Sequence, residues 1–173
     1  AASDVYKRQI ICDGKDYKFF GTAQDHKRVG EGDRGKNTGG MGCYSPSRLF
    51  TSELEEKINK KIVKPTLNAI NDLGTTYKGF LYVGLMIKDN EPYLVEFNVR
   101  MGDPECQTIL PLLKSDLLEI FYSCCIGSLN KTEVELSNKK SICIVLCSIG
   151  YPEEYKKDVE IQNLENLVTV SYT

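Results

Sequence analysis

Two apolar runs separated by a short polar turn constrain this chain more than any other feature. Phe80 to Ile87 is aromatic, aliphatic and β-branched, and Tyr93 to Asn98 opens in the same way. Lys88-Asp89-Asn90-Glu91 lies between them as a turn. Strands joined this closely pair antiparallel, because a parallel return needs a crossover of roughly a dozen residues.

The second run leads into Glu96-Phe97-Asn98-Val99-Arg100-Met101-Gly102-Asp103-Pro104-Glu105. Opened by Pro92, its first half reads as a buried strand, and Gly-Asp-Pro reads as a loop. Side chains alternate across a strand, so Glu96 and Asn98 face the same way, and Arg100 joins them if the strand runs that far. A carboxylate and an amide oxygen are hard ligands of the kind Mg²⁺ accepts, with substrate phosphates completing the shell. A guanidinium is a planar fork suited to phosphate or carboxylate. The same pattern fits an edge strand with one exposed face and an ordinary Glu–Arg pair, and the pattern alone leaves both open.

Bulk properties narrow the field. A chain of 173 residues is enough for one domain or one and a half. The net charge of −2 marks neither a nucleic-acid nor a membrane partner. No apolar run reaches spanning length, and no signal peptide is visible. The seven cysteines are odd in number, lack Cys-x-x-Cys spacing and mostly sit in apolar runs, which predicts reduced, buried thiols in a cytoplasmic protein. His26 is the only histidine, which argues against a histidine metal site or a Ser-His triad.

Along the chain, residues 1–8 show no period and read as an unassigned tail. Ile10 to Cys12, Asp13-Gly14 and Tyr17 to Phe20 predict a hairpin. A chain that opens on a hairpin with no core before it reads as a fragment. Gln24 to Ser47 reads as a long polar loop, with six glycines between Gly30 and Gly42. Glycine lets backbone N–H groups approach an anion, and Lys27, Arg28, Arg34 and Lys36 add charge. This composition fits a loop that closes over phosphate or substrate, and equally a plain solvated loop. Gly30-x-Gly32-x-x-Gly35 is declined as a dinucleotide fingerprint, because the charged run Asp25-His26-Lys27-Arg28 precedes it and a second glycine cluster follows where the motif needs a helix. Gly30-x4-Gly35-Lys36 is not a P-loop, because Asn37 replaces Ser/Thr.

Ser52-x-x-Glu55 is a capping box before an apolar ladder at Leu54, Ile58 and Ile62, with Lys57, Lys60 and Lys61 solvated. Pro65 should break or kink that helix before it continues to Leu73-Gly74. Pro104 suits a helix start, with a short helix over Glu105 to Leu113. Ser115 caps a longer helix through Ile126, ended by Gly127. Residues 130–140 read as a linker and Ser141 to Ile149 as a new buried strand, turned by Gly150-Tyr151-Pro152. Glu160 to Ile161 and Leu167 to Val170 read as short strands.

Four runs resemble one known family. They are Asp25-His26-Lys27-Arg28, Asn37-Thr38-Gly39-Gly40-Met41-Gly42-x-Tyr44-Ser45-Pro46, Tyr82-x-Gly84-Leu85-Met86, and Glu96-Phe97-Asn98-x-Arg100-x-Gly102-Asp103-Pro104-Glu105-x-Gln107. Together they resemble the phosphoribosylamine–glycine ligases, ATP-grasp enzymes of purine biosynthesis, over about residues 9–173. Met101 departs from the Phe or Leu usual there, and residues 1–8 match nothing in the family.

The resemblance implies an α+β fold, with an ATP-grasp large subdomain over residues 9–129. Its sheet would be mainly antiparallel with flanking helices, and a small β-rich C-terminal domain would begin at 130 and be incomplete. It implies ligation of glycine to 5-phosphoribosylamine at the expense of ATP, through a glycyl phosphate. It implies Glu96 and Asn98 as ligands of Mg²⁺ or Mn²⁺, and Arg100 and Asp103 as catalytic residues. Substrate contacts would come from Asp25, Lys27, Arg28, Asn37, Thr38, Gly39, Gly40, Met41 and Gly102. A further acid ligand, expected on the neighbouring strand, is missing there, since Leu85 and Met86 are what that strand offers. The resemblance also implies an absent N-terminal part that carries the adenine site, so this piece alone would bind ATP weakly. The rival readings are another ATP-grasp ligase or carboxylase, and a non-catalytic anion-binding module.

Overall fold

In a computed structural model describing residues 4–160 and 162, six strands form one antiparallel sheet in the order β5-β4-β1-β2-β3-β6. The strands are β1 (Asp4–Asp13), β2 (Tyr17–Gly30), β3 (Arg34–Ser45), β4 (Lys78–Lys88), β5 (Glu91–Asn98) and β6 (Ser141–Ile144). The expected β4–β5 hairpin is present, and its turn places Asp89 and Asn90 at φ of 52° and 58°. Two successive left-handed residues are the type I′ arrangement that matches strand twist.

The fold departs from the sequence expectation in several regions. Residues 4–8, read as a tail, are the first half of β1, and Tyr6, Lys7 and Arg8 are buried in the sheet. Local period is no guide in a strand covered on both faces, because every side chain is then inside. The polar loop expected from Gln24 to Ser47 is a long hairpin, β2–β3. Gly32 and Asp33 turn it with φ of 69° and 59°, and register shifts at His26/Arg28 and Arg28/Gly30 let its glycine-rich arms pair unevenly. The strand ending at Asn98 is not buried: β5 is an edge strand, with Tyr93, Leu94 and Val95 exposed on it.

Side-chain alternation divides the core between the two faces of the sheet. Ile10 and Cys12 of β1 pack with Leu54, Ile58, Ile62 and Val63, while Ile11 packs with Phe20, Ile109 and Ile120. The first layer is helical from α1 (Ser52–Ile58) through a π-helical segment (Asn59–Val63) into α2 (Lys64–Asp72). Thr51, not Ser52, is the N-cap, its side chain accepting from Leu54 N at 3.1 Å. Pro65 neither ends nor breaks the run. It lies in the first turn of α2, immediately after the π-segment, where its missing N–H removes one bond from the ladder.

The second layer holds α3 (Glu105–Ile109), a 3₁₀ turn (Leu110–Leu112) and α4 (Leu117–Ile126). Asp116 rather than Ser115 caps α4, accepting from Glu119 N at 3.0 Å, and Gly127 closes it in the left-handed conformation. Ser115 instead accepts from Glu135 N at 2.8 Å. The buried strand expected from Ser141 to Ile149 is shorter and open: β6 ends at Ile144, Ile142 and Ile144 are exposed, and so are Leu146 and Ile149 beyond it. Glu160 has no regular structure, and Ile161 and 167–170 lie outside the described residues.

Candidate active site

Strand register assembles the site. Lys7, Gly84 and Glu96 form one row across β1, β4 and β5, and Gln9, Tyr82 and Asn98 form the row beside it. Residues directly opposite share a face, and positions two apart share it too. Glu96 and Asn98 therefore leave the sheet on the same side, as the alternation predicted. A bulge displaces Val95, because Leu94 pairs with Leu85 and Glu96 with Gly84.

Around these residues lies a cavity of about 150 Å³, lined by polar groups from three regions. Asp25, Lys27 and Gly39 come from the β2–β3 hairpin, Tyr82, Glu96 and Asn98 from the β4–β5 hairpin, and Arg100, Gly102, Asp103 and Glu105 from the loop that follows and the first residue of α3. A larger cavity of about 590 Å³ shares Asp25, Lys27 and Glu96 and adds Lys7, Arg28, Asn37 and Arg48. Clustered cations of this kind suit an anion such as phosphate.

Electrostatics in the smaller cavity are unbalanced. Both oxygens of Asp25 are buried without a hydrogen-bond partner among the described residues, and Lys27 Nζ is no nearer than 4.0 Å. Glu105 is buried, and burial followed by the charge of Asp25 pushes its carboxyl up. Tyr82 donates to Glu105 Oε1 at 3.2 Å, and burial first, then Glu105, pushes the phenol up, so it remains a donor. Lys7 Nζ is 3.7 Å from Glu96 Oε1 and 5.0 Å from the centre of the Tyr82 ring. Two buried carboxylates with so little compensation favour a cation in the cavity.

Not every residue expected at the site lines a cavity. Thr38 donates to Lys27 O at 2.8 Å and accepts from Gly40 N at 3.1 Å. Met41 O accepts from Val145 N at 3.0 Å, and Gly40 is packed where a Cβ would lie 2.6 Å from Pro104 Cδ. Thr38, Gly40 and Met41 line neither cavity. Gly39 does line the smaller one, but its N–H donates to the Tyr151 hydroxyl at 3.1 Å. These glycines serve close packing of β3, and the N–H groups of Gly39 and Gly40 already have partners. Arg100 donates to Met101 O at 2.9 Å, and Asp103 accepts from Gln107 at 2.7 Å.

Tyr82 and Glu105 belong to the runs that carry the family resemblance but have no site role in the sequence reading, and Lys7 falls in the stretch read as a tail. Tyr82 was legible in principle, because it pairs with Asn98 across the hairpin. Lys7 depends on the β1–β4 pairing, which no local signal specifies. Across from Glu96 stands Gly84, not an acid. A Cβ there would lie 2.9 Å from Glu96 Cγ and 3.3 Å from Lys7 Nζ, so no acid side chain fits at this position without rearrangement.

Residues 7–106 match the family model described as phosphoribosylglycinamide synthetase, ATP-grasp (A) domain. The chain belongs to this family. Its antiparallel α+β fold is the ATP-grasp fold of that domain. It is 44% identical over 154 residues to a phosphoribosylamine–glycine ligase of Rhizobium meliloti, covering 89% of this chain and 36% of the relative. It is 46% identical over 160 residues to the ligase of Pasteurella multocida, covering 92% and 37%. The crystal structure of the Thermotoga maritima ligase matches with a TM-score of 0.75 at 33% identity, over 90% of this chain and 39% of that one. The biotin carboxylase domain of a thermophilic 2-oxoglutarate carboxylase shares the fold alone, at a TM-score of 0.56 and 16% identity over 81% of this chain and 29% of that one. The chain thus spans a little over a third of the length of these ligases. Among the described residues, no helix is long and apolar enough to cross a membrane.

Proposed function

We propose that this chain forms the metal- and phosphate-binding part of an ATP-dependent carbon–nitrogen ligase. That enzyme would join glycine to 5-phosphoribosylamine, giving glycinamide ribonucleotide, ADP and phosphate. The observation that carries the reading is the convergence of Glu96, Asn98, Arg100 and Asp25 on one polar cavity. The names of the relatives supply the two substrates.

Among the described residues, no cluster of three or more His, Cys, Asp or Glu side chains has metal-site geometry. The donor set still fits Mg²⁺ or Mn²⁺ in the manner of nucleotide sites, where one or two protein oxygens suffice beside phosphates. Glu96 and Asn98 would hold the ion, whose charge would offset that of the ATP phosphates. The Arg100 guanidinium would neutralise charge on the transferring phosphoryl group or orient the carboxylate of glycine. Lys27 and Arg28 would hold phosphate oxygens at the mouth of the larger cavity. Asp25 would border the substrate pockets, where a carboxylate suits an amino group, and Asp103 would act as a catalytic residue at the same cavity. The proposed path runs through glycyl phosphate, whose acyl carbon the ribosylamine nitrogen attacks as phosphate leaves. Positioning and charge compensation are the protein's contribution.

The adenine pocket is proposed to lie outside this chain, so the piece alone should bind ATP weakly. A C-terminal domain beginning near residue 130 is part of the same proposal. The free thiols among the described residues support a cytoplasmic setting. The test is ADP release by the protein carried at the full length of its relatives. Release that requires both glycine and phosphoribosylamine supports the reading. Bicarbonate-dependent release, or no turnover at all, overturns it.

A further inference from the structure

Antiparallel register places Cys143 of β6 directly across from Cys43 of β3, and Asp25 of β2 directly across from Cys43 on its other side. The three side chains therefore share one face of the sheet, the face of the polar cavity. Val145 N–H donates to Met41 O at 3.0 Å, which makes Met41 and Val145 a hydrogen-bonded pair. Such pairs recur at every second position, so Cys43 and Cys143 form one as well, with Cα atoms about 5.5 Å apart. That Cα spacing lies inside the disulfide range of about 4.4–6.8 Å, but the Cβ atoms of a hydrogen-bonded pair stand about 5.5 Å apart against the roughly 3.5–4.5 Å a disulfide needs, so closure has to draw the two strands together and leaves a strained, readily reduced bond. Both cysteines are free thiols, Cys43 buried and Cys143 half-buried.

The other thiols are engaged differently. Cys124 Sγ is directed at Cys12 O at 2.9 Å, and Cys106 Sγ at Met101 Sδ at 3.6 Å. Cys125 and Cys147 are exposed.

We propose that Cys43 and Cys143 are a redox modification site, closing to a cross-strand disulfide when a small-molecule disulfide such as oxidised glutathione is present. Cys143, the more exposed of the two, attacks first as its thiolate, breaking the glutathione S–S bond and releasing one glutathione. Cys43 then loses its proton to solvent and attacks the Cys143 sulfur, releasing the second glutathione. Two protein thiols are oxidised and one small disulfide is reduced to two thiols. Burial, followed by the neighbouring charges of Glu105 and Asp25, pushes the Cys43 thiol up to about 12 against the lowering effect of its Thr108 contact, so this second step is the slow one. Closure would draw Cys43 Sγ from Thr108 Oγ1, now 3.5 Å away at α3, and fix β3 beside Asp25.

The test uses the 173-residue chain, incubated natively with oxidised glutathione and digested with trypsin without reductant. The expected product links residues 37–48 to 141–156 through Cys43 and Cys143, is two hydrogens lighter than the two peptides, and is released by dithiothreitol. Fragmentation separates Cys143 from Cys147 in the second peptide. The link should persist in C147S and vanish in C43S and C143S. A stable glutathione adduct on Cys143 with Cys43 still free overturns the proposal, and so does a link through Cys147. The unsubstituted chain decides the matter even if a serine variant fails to fold.

Discussion

Tyr82 and Glu105 meet at 3.2 Å, the hydroxyl of β4 donating to the carboxylate of the first residue of α3. The contact ties the floor of the cavity to its rim. It also carries a pH signature. Burial, reinforced by Asp25, raises the Glu105 carboxyl above its ordinary value of 4.5. A group with a raised folded-state value contributes stability that is fully present below its unfolded value and lost as pH rises through the folded one. Stability should therefore fall as pH climbs from 4.5 through the raised value, where the unfolded chain ionises more readily. Glu105→Gln keeps an acceptor for Tyr82 and removes the titration. Urea midpoints measured between pH 4.5 and 7.5 should decline in the parent relative to the variant, and parallel curves would contradict the assignment.

Asp13 has the opposite sign. Burial works to raise its carboxyl, but N–H groups of Asp16, Lys15 and Leu129 outweigh it and hold the group below its ordinary value. Its Oδ1 accepts from Lys15 N at 2.9 Å and Asp16 N at 2.7 Å, and its Oδ2 accepts from Leu129 N at 2.9 Å. One side chain thus closes the β1–β2 turn and fastens the segment after α4. The stabilisation is present above the unfolded value and disappears as pH falls through the lowered one. Asp13→Asn should cost about 1–3 kcal/mol at pH 7. The difference from the parent should shrink in acid, as read by denaturant titration at pH 7 and pH 3.

Gly40 is held at φ +138°, and a Cβ would meet Pro104 Cδ at 2.6 Å. Neither the backbone nor the proline ring can yield cheaply. Gly40→Ala should lower stability by about 1–3 kcal/mol, because conformational strain and overpacking add. Gly32 at φ +69° has open space around it, so Gly32→Ala should pay only the conformational cost. Equal melting temperatures for the two variants would show that β3 does not pack on the Asp103–Pro104 loop as described.

Gln9 lies in the centre of the sheet, fully buried, and neither amide atom has a partner among the described residues. A buried polar group without a partner costs about 1–3 kcal/mol. Gln9→Met has similar volume and should raise the urea midpoint. A fall in the midpoint would overturn the reading of the Gln9 amide as unpartnered.

The β4–β5 hairpin, the facing of Glu96 and Asn98, and the ends of α4 within a residue were legible because each rests on a short-range rule. Turn chemistry, two-residue alternation and a terminal glycine all act within a few positions. The β2–β3 hairpin was not legible, because glycine and charge mimic a loop. Its arms are ordered by contacts from far away in sequence, such as Gly40 on Pro104 and Gly39 on Tyr151. The depth of β1 was hidden for the same reason. Lys7, Arg8 and Gln9 are polar residues whose burial follows from pairing with β4, more than seventy positions on. For β5 and β6 the burial expected from an apolar run is absent, since such a run does not reveal whether a neighbour covers it.

Glu96 carries the sharpest functional expectation. Its side chain is 45% exposed and reaches the cavity beside Asn98, and the nearest cation is Lys7 Nζ at 3.7 Å. A pair that open contributes little to folding, so Glu96→Gln should leave the melting temperature within a degree or two. The same change removes the only full negative charge in the proposed donor pair. Mn²⁺ titrated into the chain with ATP and followed by electron paramagnetic resonance should bind at least tenfold more weakly in the variant, about 1.4 kcal/mol. In the protein at the full length of its relatives, turnover should fall steeply while folding is retained. Undiminished Mn²⁺ affinity with normal turnover would remove Glu96 from the metal site. It would leave Asp25, Asp103 and Glu105 as the carboxylates of the cavity still available to a cation.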